Sequence, residues 1–378
     1  MKAITIRTVA AAALAAAISG CTPSDGAKEL ELGRQAYAVH DLKKAEKMFT
    51  KSAELSPDNA DALLFMARVK LELGELKDAQ TWIAKAAAVA GNDADVKLVE
   101  AQIAWHAKNS AKAADLFKAV AEDTKLPPEI RAKGSTGLGV VEHTNENGHL
   151  ARIAFLRAIR LNRHEAAAWY HLGLVYRDTF SYYEAALEQF EIFVRLEESA
   201  SPRVQKTLRT TIPALKEQIA REAANRPGVA KRDSAASATA LAKAEAAWKK
   251  GNYRNARDAY QAALAADPLS YPAALGLGKA WLKTDNSKEG ARKALESYKT
   301  ACTLRPGAIS TFLATGDIAA RQGQHAMAMN IFSRAVAASP TSIQALDGLI
   351  RAMQKSGGNK TAARAYQRYR DFIASSKK

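Results

Sequence analysis

The chain has 378 residues, 48% of them hydrophobic and 7% aromatic, with a formal net charge of +16. A mean hydropathy of -0.25 is a soluble globular balance and excludes a multi-span membrane protein, while two cysteines, Cys21 and Cys302, exclude a paired-cysteine metal site by count. Lysines and arginines are interleaved with acids along the chain rather than clustered, so they read as solvated faces and no nucleic acid is expected as a partner.

The first twenty residues form an address. Lys2 and Arg7 supply a positive start, and Thr8 to Ser19 is an apolar, alanine-rich stretch of 12 residues. That is short of the roughly 20 apolar residues a spanning helix needs, and fits the core of a signal peptide. The stretch ends Ile18-Ser19-Gly20-Cys21. This resembles the lipobox of bacterial lipoproteins, with Ile18 where leucine is commoner. The resemblance implies cleavage before Cys21 and acylation of its thiol, which rules out an intrachain disulfide to Cys302. Acyl chains contribute about 0.8 kcal/mol per buried methylene, so several of them hold a soluble body on a bilayer. Thr22, rather than an aspartate, follows the cysteine. By the same resemblance the expected place is the outer membrane with the body in the periplasm, and inner-membrane anchoring is the alternative.

Beyond the leader the sequence repeats itself. An alanine precedes a large apolar residue by four positions at Ala45/Phe49, Ala79/Ile83, Ala113/Phe117, Ala151/Phe155 and Ala186/Phe190. After a gap the pattern resumes at Ala256/Tyr260, Ala294/Tyr298, Ala328/Phe332 and Ala362/Tyr366. Successive alanines are 34, 34, 38, 35, 70, 38, 34 and 34 residues apart, the signature of a repeat array. Each period splits into two amphipathic helices. The first carries a small residue where the helices cross, at Gly33, Ala67, Gly139, Gly173, Gly278 and Gly316. Glycine costs a helix about 0.5–1 kcal/mol relative to alanine, so its presence implies close backbone approach. In the second helix the alanine and the large residue one turn later share a face. Pro57, Pro268, Pro306 and Pro340 end four of these second helices.

The segment Trp169-x2-Leu172-Gly173-x2-Tyr176, followed by Ala186-x3-Phe190, resembles the tetratricopeptide (TPR) repeat, and residues 309–340 repeat the arrangement. The resemblance implies an all-α fold, an α-solenoid of about nine helix-turn-helix repeats in two arrays. Five repeats fill 26–200. Residues 201–224, with Pro213 inside, form a capping helix or a degenerate repeat; 225–237 is a small, polar linker; four more repeats fill 238–374. The repeats near 94–125 and 132–163 lack the first-helix tryptophan and the closing proline.

No chemistry is legible. The histidines (His40, His106, His143, His149, His164, His171, His325) show no metal spacing. The glycines at 134, 137 and 139, and at 276 and 278 before Lys279, belong to helix crossings, not to phosphate loops, since no strand precedes them. Cys302 sits beside Ala301 as an inert buried thiol. No cofactor and no catalytic role is expected.

The TPR resemblance implies that first helices line the binding surface. Carried onto this chain, its surface positions are Arg68, Gln102, Trp105, His106, His143, Tyr170, Arg177, Lys279, Lys283, Arg321 and Arg351. This mixed basic and aromatic set suits an extended or helical protein segment of acidic character. Leu30 and Arg34 stand where repeats that clamp chaperone tails carry lysine and asparagine, so that subtype is not expected. The resulting expectation is a lipid-anchored scaffold holding partner proteins during envelope, pilus or secretion-system assembly. The alternative is a module for cell-wall or exported polysaccharide, with the array as a spacer.

Overall fold

The structure, a computed structural model, describes residues 26–197, 201–224, 232–357 and 359–375. The leader and Cys21 lie outside them, as do residues 225–231 of the expected linker. The described residues form twenty α-helices and no strand. Packing divides the chain into two compact units, Met1–Leu126 and Pro127–Lys378, parting within the Lys125-Leu126-Pro127-Pro128 bend.

The first unit holds three helix pairs: α1 (Ala27–Ala38) with α2 (Leu42–Leu55), α3 (Ala60–Glu72) with α4 (Leu76–Ala90), and α5 (Ala94–His106) with α6 (Ser110–Glu122). Side-chain caps start several of them. Asp41 accepts from the Lys44 backbone N–H at 3.1 Å, and Asn59 and Asn109 do the same for Ala62 and Lys112, each such cap contributing about 1 kcal/mol. Phe49 and the repeat alanines Ala45, Ala79 and Ala113 are fully buried. A Cβ added to Gly33 would lie 2.5 Å from the Phe49 ring, so the crossing glycine is required by sterics.

The second unit holds six further pairs or part-pairs. They are α7 (Pro128–Thr144) with α8 (Gly148–Leu161), and α9 (Ala166–Leu174), extended by a π-helical turn over Val175–Thr179, with α10 (Tyr183–Leu196). Then come α13 (Ser234–Lys249) with α14 (Tyr253–Ala266), α15 (Tyr271–Thr284) with α16 (Lys288–Leu304), α17 (Ile309–Arg321) with α18 (His325–Ala338), and α19 (Ile343–Lys355) with α20 (Lys360–Ser375). Between the two groups, α11 (Pro202–Lys206) runs through a π-helical turn, Thr207–Thr211, into α12 (Ile212–Ala224). The π turn ends two residues before Pro213, where the missing N–H and the ring's bulk disturb the preceding helical turn. Val204, Ile212 and Leu215 are buried, and α12 packs on α10.

The expected linker extends to 237, but Ser234–Ser237 is the first turn of α13. Asp233 caps it through the Ala236 N–H at 2.8 Å, and Ser237 Oγ donates to the Ala263 carbonyl at 2.8 Å. The cap and the alanines that follow outweigh the turn propensity of the serines. Elsewhere the repeat grammar holds. α2, α14, α16 and α18 end at Leu55, Ala266, Leu304 and Ala338, each two residues before its proline. Phe155, Phe190, Tyr298 and Phe332 abut Gly139, Gly173, Gly278 and Gly316.

One feature recurs in the turn between the two helices of a pair. A residue with positive φ stands there at His40, Gly74, Lys108, Glu146, Ser181, Gly251, Gly323 and Gly357. The left-handed conformation is open to glycine, while other residues are disfavoured there by about 1–2 kcal/mol. The pair α15/α16 departs from this. Its turn runs through Asp285, whose carboxylate accepts from the Ser287 N–H at 2.8 Å, and it carries the insertion that lengthens that period.

The second unit also packs in a way that sequence periodicity does not describe. In a simple solenoid each repeat contacts only its neighbours. Here α8 packs against α20, and a single apolar core runs from α7–α10 and α12 into α16–α20. At its centre Arg152 is fully buried. Its Nε donates to Tyr366 Oη at 2.7 Å, its Nη2 donates to the same oxygen, and its Nη1 donates to the Ser333 carbonyl at 3.2 Å and Oγ at 3.0 Å. No carboxylate pairs with it among the described residues. Instead the guanidinium lies 4.6 Å from the centre of the Phe180 ring and 5.2 Å from that of Tyr366, which offsets part of the cost of desolvating the charge. Tyr366 Oη, already accepting from Arg152, has its own hydrogen left for His149 Nδ1 at 3.2 Å. Burial, and then the Arg152 charge, push the His149 imidazole down to about 4. It is therefore neutral at pH 7, with its proton on Nε2.

Candidate protein-interaction surface

In the first unit the first helices α1, α3 and α5 carry a ladder with the repeat's own period. Arg34 pairs with Asp61 at 2.6 Å, and one repeat later Arg68 pairs with Asp95 at 3.3 Å. Both guanidinium groups lie over the Phe65 ring, at 5.4 and 5.2 Å. Arg68, expected at the binding surface, is thus held between repeats, at the modest value of about 0–1 kcal/mol that partly exposed pairs have. Gln102 occupies the next rung, is exposed, and leaves the ladder without a cation. Trp105 is half-buried and packs edge-on to the exposed His106 at 4.8 Å. Lys70, on the same helix as Arg68, is bound by Glu46 and Glu75 at 2.6 Å each.

In the second unit His143 is half-buried at the end of α7. Tyr170 packs against Phe190 and Phe193, with centroids at 5.7 and 5.0 Å, beneath the Arg203 guanidinium at 5.0 Å. Beside it, His171 is driven down to about 4 by burial, with the Arg203 and His143 charges adding to the effect. Arg177 is bound by its neighbour Asp178 at 2.5 and 2.8 Å. Its charge is spent locally.

The remaining candidates differ. Lys279, Lys283, Arg321 and Arg351 are exposed on α15, α17 and α19. None of them is in an ion pair among the described residues; Lys283 makes a single contact, with the Tyr253 ring at 5.9 Å. The structure adds two residues that the sequence reading passed over. Lys249 and Lys355 occupy the position of Lys283 and Arg321 in the last turn of α13 and α19, and both are exposed. Lys249, Lys283, Arg321 and Lys355 therefore form a column with one cation on each of four successive first helices. A cation in a last helical turn is favoured by the helix dipole, by about 0.3–1 kcal/mol. That effect accounts for their tolerance but leaves each charge free for a partner. The signal was present in the sequence: the four are spaced 34, 38 and 34 residues apart.

Among the described residues no group of three or more potential metal ligands converges. Burial raises the Cys302 thiol above its ordinary value, which keeps it protonated and a poor nucleophile.

Two segments match tetratricopeptide-repeat family models, residues 36–103 and residues 241–309, one in each unit. No curated protein matches the sequence. Solved structures with a similar fold include PilF of Pseudomonas aeruginosa, 17% identical over 66% of this chain and 95% of that one, with a TM-score of 0.41. PilW, described as a widely conserved type IV pilus biogenesis factor, is 14% identical over 67% and 98% of the two chains, with a TM-score of 0.41. YrrB, described as a TPR protein with an unusual peptide-binding site, is 15% identical over 52% and 93%, with a TM-score of 0.36.

Proposed function

We propose that this chain of tetratricopeptide repeats is a non-catalytic scaffold, acylated at Cys21 and held on the periplasmic side of the outer membrane. There its first-helix surface would retain an acidic segment of a partner protein during envelope, pilus or secretion-system assembly. The observation that carries the binding reading is the exposed column Lys249, Lys283, Arg321 and Lys355, without ion pairs among the described residues. Arg34, Arg68 and Arg177, by contrast, are each paired with one of the chain's own acids. A cation recurring at the same position of successive repeats suits a ligand that runs along several of them. Steering by such charges raises association rates.

The test is charge reversal at Lys283, Arg321 and Lys355 to glutamate, followed by binding of a fluorescent peptide of alternating glutamate and leucine. Affinity should fall by more than tenfold and lose most of its salt dependence. Equal affinity for the variant and the parent rejects the surface. Anchoring is tested separately by growing cells with an alkynyl fatty acid. The label should enter the parent and be lost in Cys21→Ser; label retained in that variant rejects acylation at this residue.

A further inference from the structure

The second unit contains a cleft whose electrostatics run against the rest of the chain. It has a volume of about 420 Å³, lies between α10, α12 and the α16–α18 region, and is lined by none of the residues of the basic column. Glu184, Glu188 and Glu222 line it, against one cation, Arg334. Arg334 is turned over the Tyr182 ring at 5.3 Å. None of the three glutamates is in an ion pair among the described residues, in a chain with 55 lysines and arginines. Among the described residues, the one hydrogen bond these three side chains make is at Glu222, which accepts from Gln218 Nε2 at 3.1 Å. Glu184 is half-buried, while Glu188 and Glu222 are exposed at the rim. Phe312 and Cys302, exposed by only 2% and 6%, supply an apolar floor.

We propose that this cleft binds a basic segment of a partner protein, a lysine or arginine flanked by an apolar residue. Three carboxylates lining one cleft repel, and a neighbouring cation relieves that repulsion. The chain has many cations and places none of those described in an ion pair there. The volume falls within the range of ligand pockets, about 300–1,000 Å³, and the apolar floor suits an aliphatic side chain better than a hydrated ion. The raised Cys302 thiol stays protonated, so the floor is neutral and the charge of the site is set by its rim. This site is independent of the first-helix column, and the protein would thereby hold segments of opposite charge on separate surfaces.

The experiment uses the full chain and a fluorescein-labelled peptide of alternating lysine and leucine, read by anisotropy. The glutamate–leucine peptide serves as the control ligand, and spermidine as competitor. Binding of the basic peptide should weaken by about tenfold or more in the variant Glu184→Gln/Glu188→Gln/Glu222→Gln. The double variant at the exposed Glu188 and Glu222 should show a smaller loss in the same direction, with its thermal unfolding unchanged. Zero-length carbodiimide coupling should join the peptide's lysines to these glutamates, as mapped by mass spectrometry. Charge reversal at Lys283, Arg321 and Lys355 should not weaken this binding. Undiminished affinity in the triple variant, or coupling mapped to other acidic residues, overturns the proposal. So does displacement by spermidine at matched charge, which would mark a polyamine site instead of a protein-binding one.

Discussion

Phe332 offers the sharpest test of how the repeats are packed. Its ring is gripped from two sides. A Cβ on Gly316, in its own repeat, would lie 2.7 Å from the ring, and one on Gly348, in the next repeat, would lie 2.4 Å from it. The ring is 2% exposed, so it cannot swing out, and retreating from one glycine presses it on the other. Gly316→Ala therefore sets two effects against each other. Helix propensity favours alanine by about 1 kcal/mol, and overpacking a core costs about 1–3 kcal/mol. With the ring blocked on both sides the upper part of that range applies, for a net loss of about 1–2 kcal/mol. At about 2–4 °C per kcal/mol for a unit of this size, the transition of the second unit should fall by roughly 2–8 °C. Thermal unfolding followed by circular dichroism reads this. Gly173→Ala is the internal comparison, since its Cβ would approach Phe190 no closer than 3.0 Å, and it should cost less. Adding Phe332→Leu to Gly316→Ala should recover part of the loss, because the smaller side chain leaves room for the new methyl. A Gly316→Ala protein that melts higher than the parent would mean that propensity wins and the crossing is not tight.

Three further outcomes follow from the same structure. Tyr366→Phe removes the oxygen that accepts two Arg152 N–H groups and should cost about 1.5–3 kcal/mol. In an Arg152→Met background the same change should be nearly neutral, and equal costs in the two backgrounds would show that the pair is not coupled. Acid should weaken the second unit through His149 and His171, both driven down to about 4 in the fold and titrating near 6.5 when unfolded. Their contribution is fully present above pH 6.5 and is lost as pH falls towards 4, because the unfolded chain takes up protons that the fold refuses. Replacing both with glutamine should flatten urea midpoints across that window, and an unchanged slope contradicts the assignment. Finally, Glu146→Gly should stabilise the chain by up to about 1 kcal/mol, whereas Gly74→Ala should destabilise it despite having open space around the added methyl. Opposite signs in denaturant titrations would reject the left-handed turn as the cause.

Much of the repeat unit is local and therefore legible in the sequence. Alanine and a large apolar residue one turn apart must share a helix face, a crossing glycine must meet the large residue of its partner helix, and a proline must stop the helix. The structure places Phe49 on Gly33 and Phe155 on Gly139 for those reasons. The turn column was only half visible, because His40, Lys108, Glu146 and Ser181 adopt a conformation that only the glycines among its members advertise. The binding candidates came from position alone, and position cannot show whether a charge is already matched. Arg68 and Arg177 are engaged by Asp95 and Asp178, while the column with Lys249 and Lys355 is left open. The burial of Arg152 against Tyr366, 214 residues away, had no trace in the sequence. A periodic pattern specifies which face of a helix is apolar, but which distant face covers it depends on how the repeats between them stack. That sum of small rotations exists only in the folded chain.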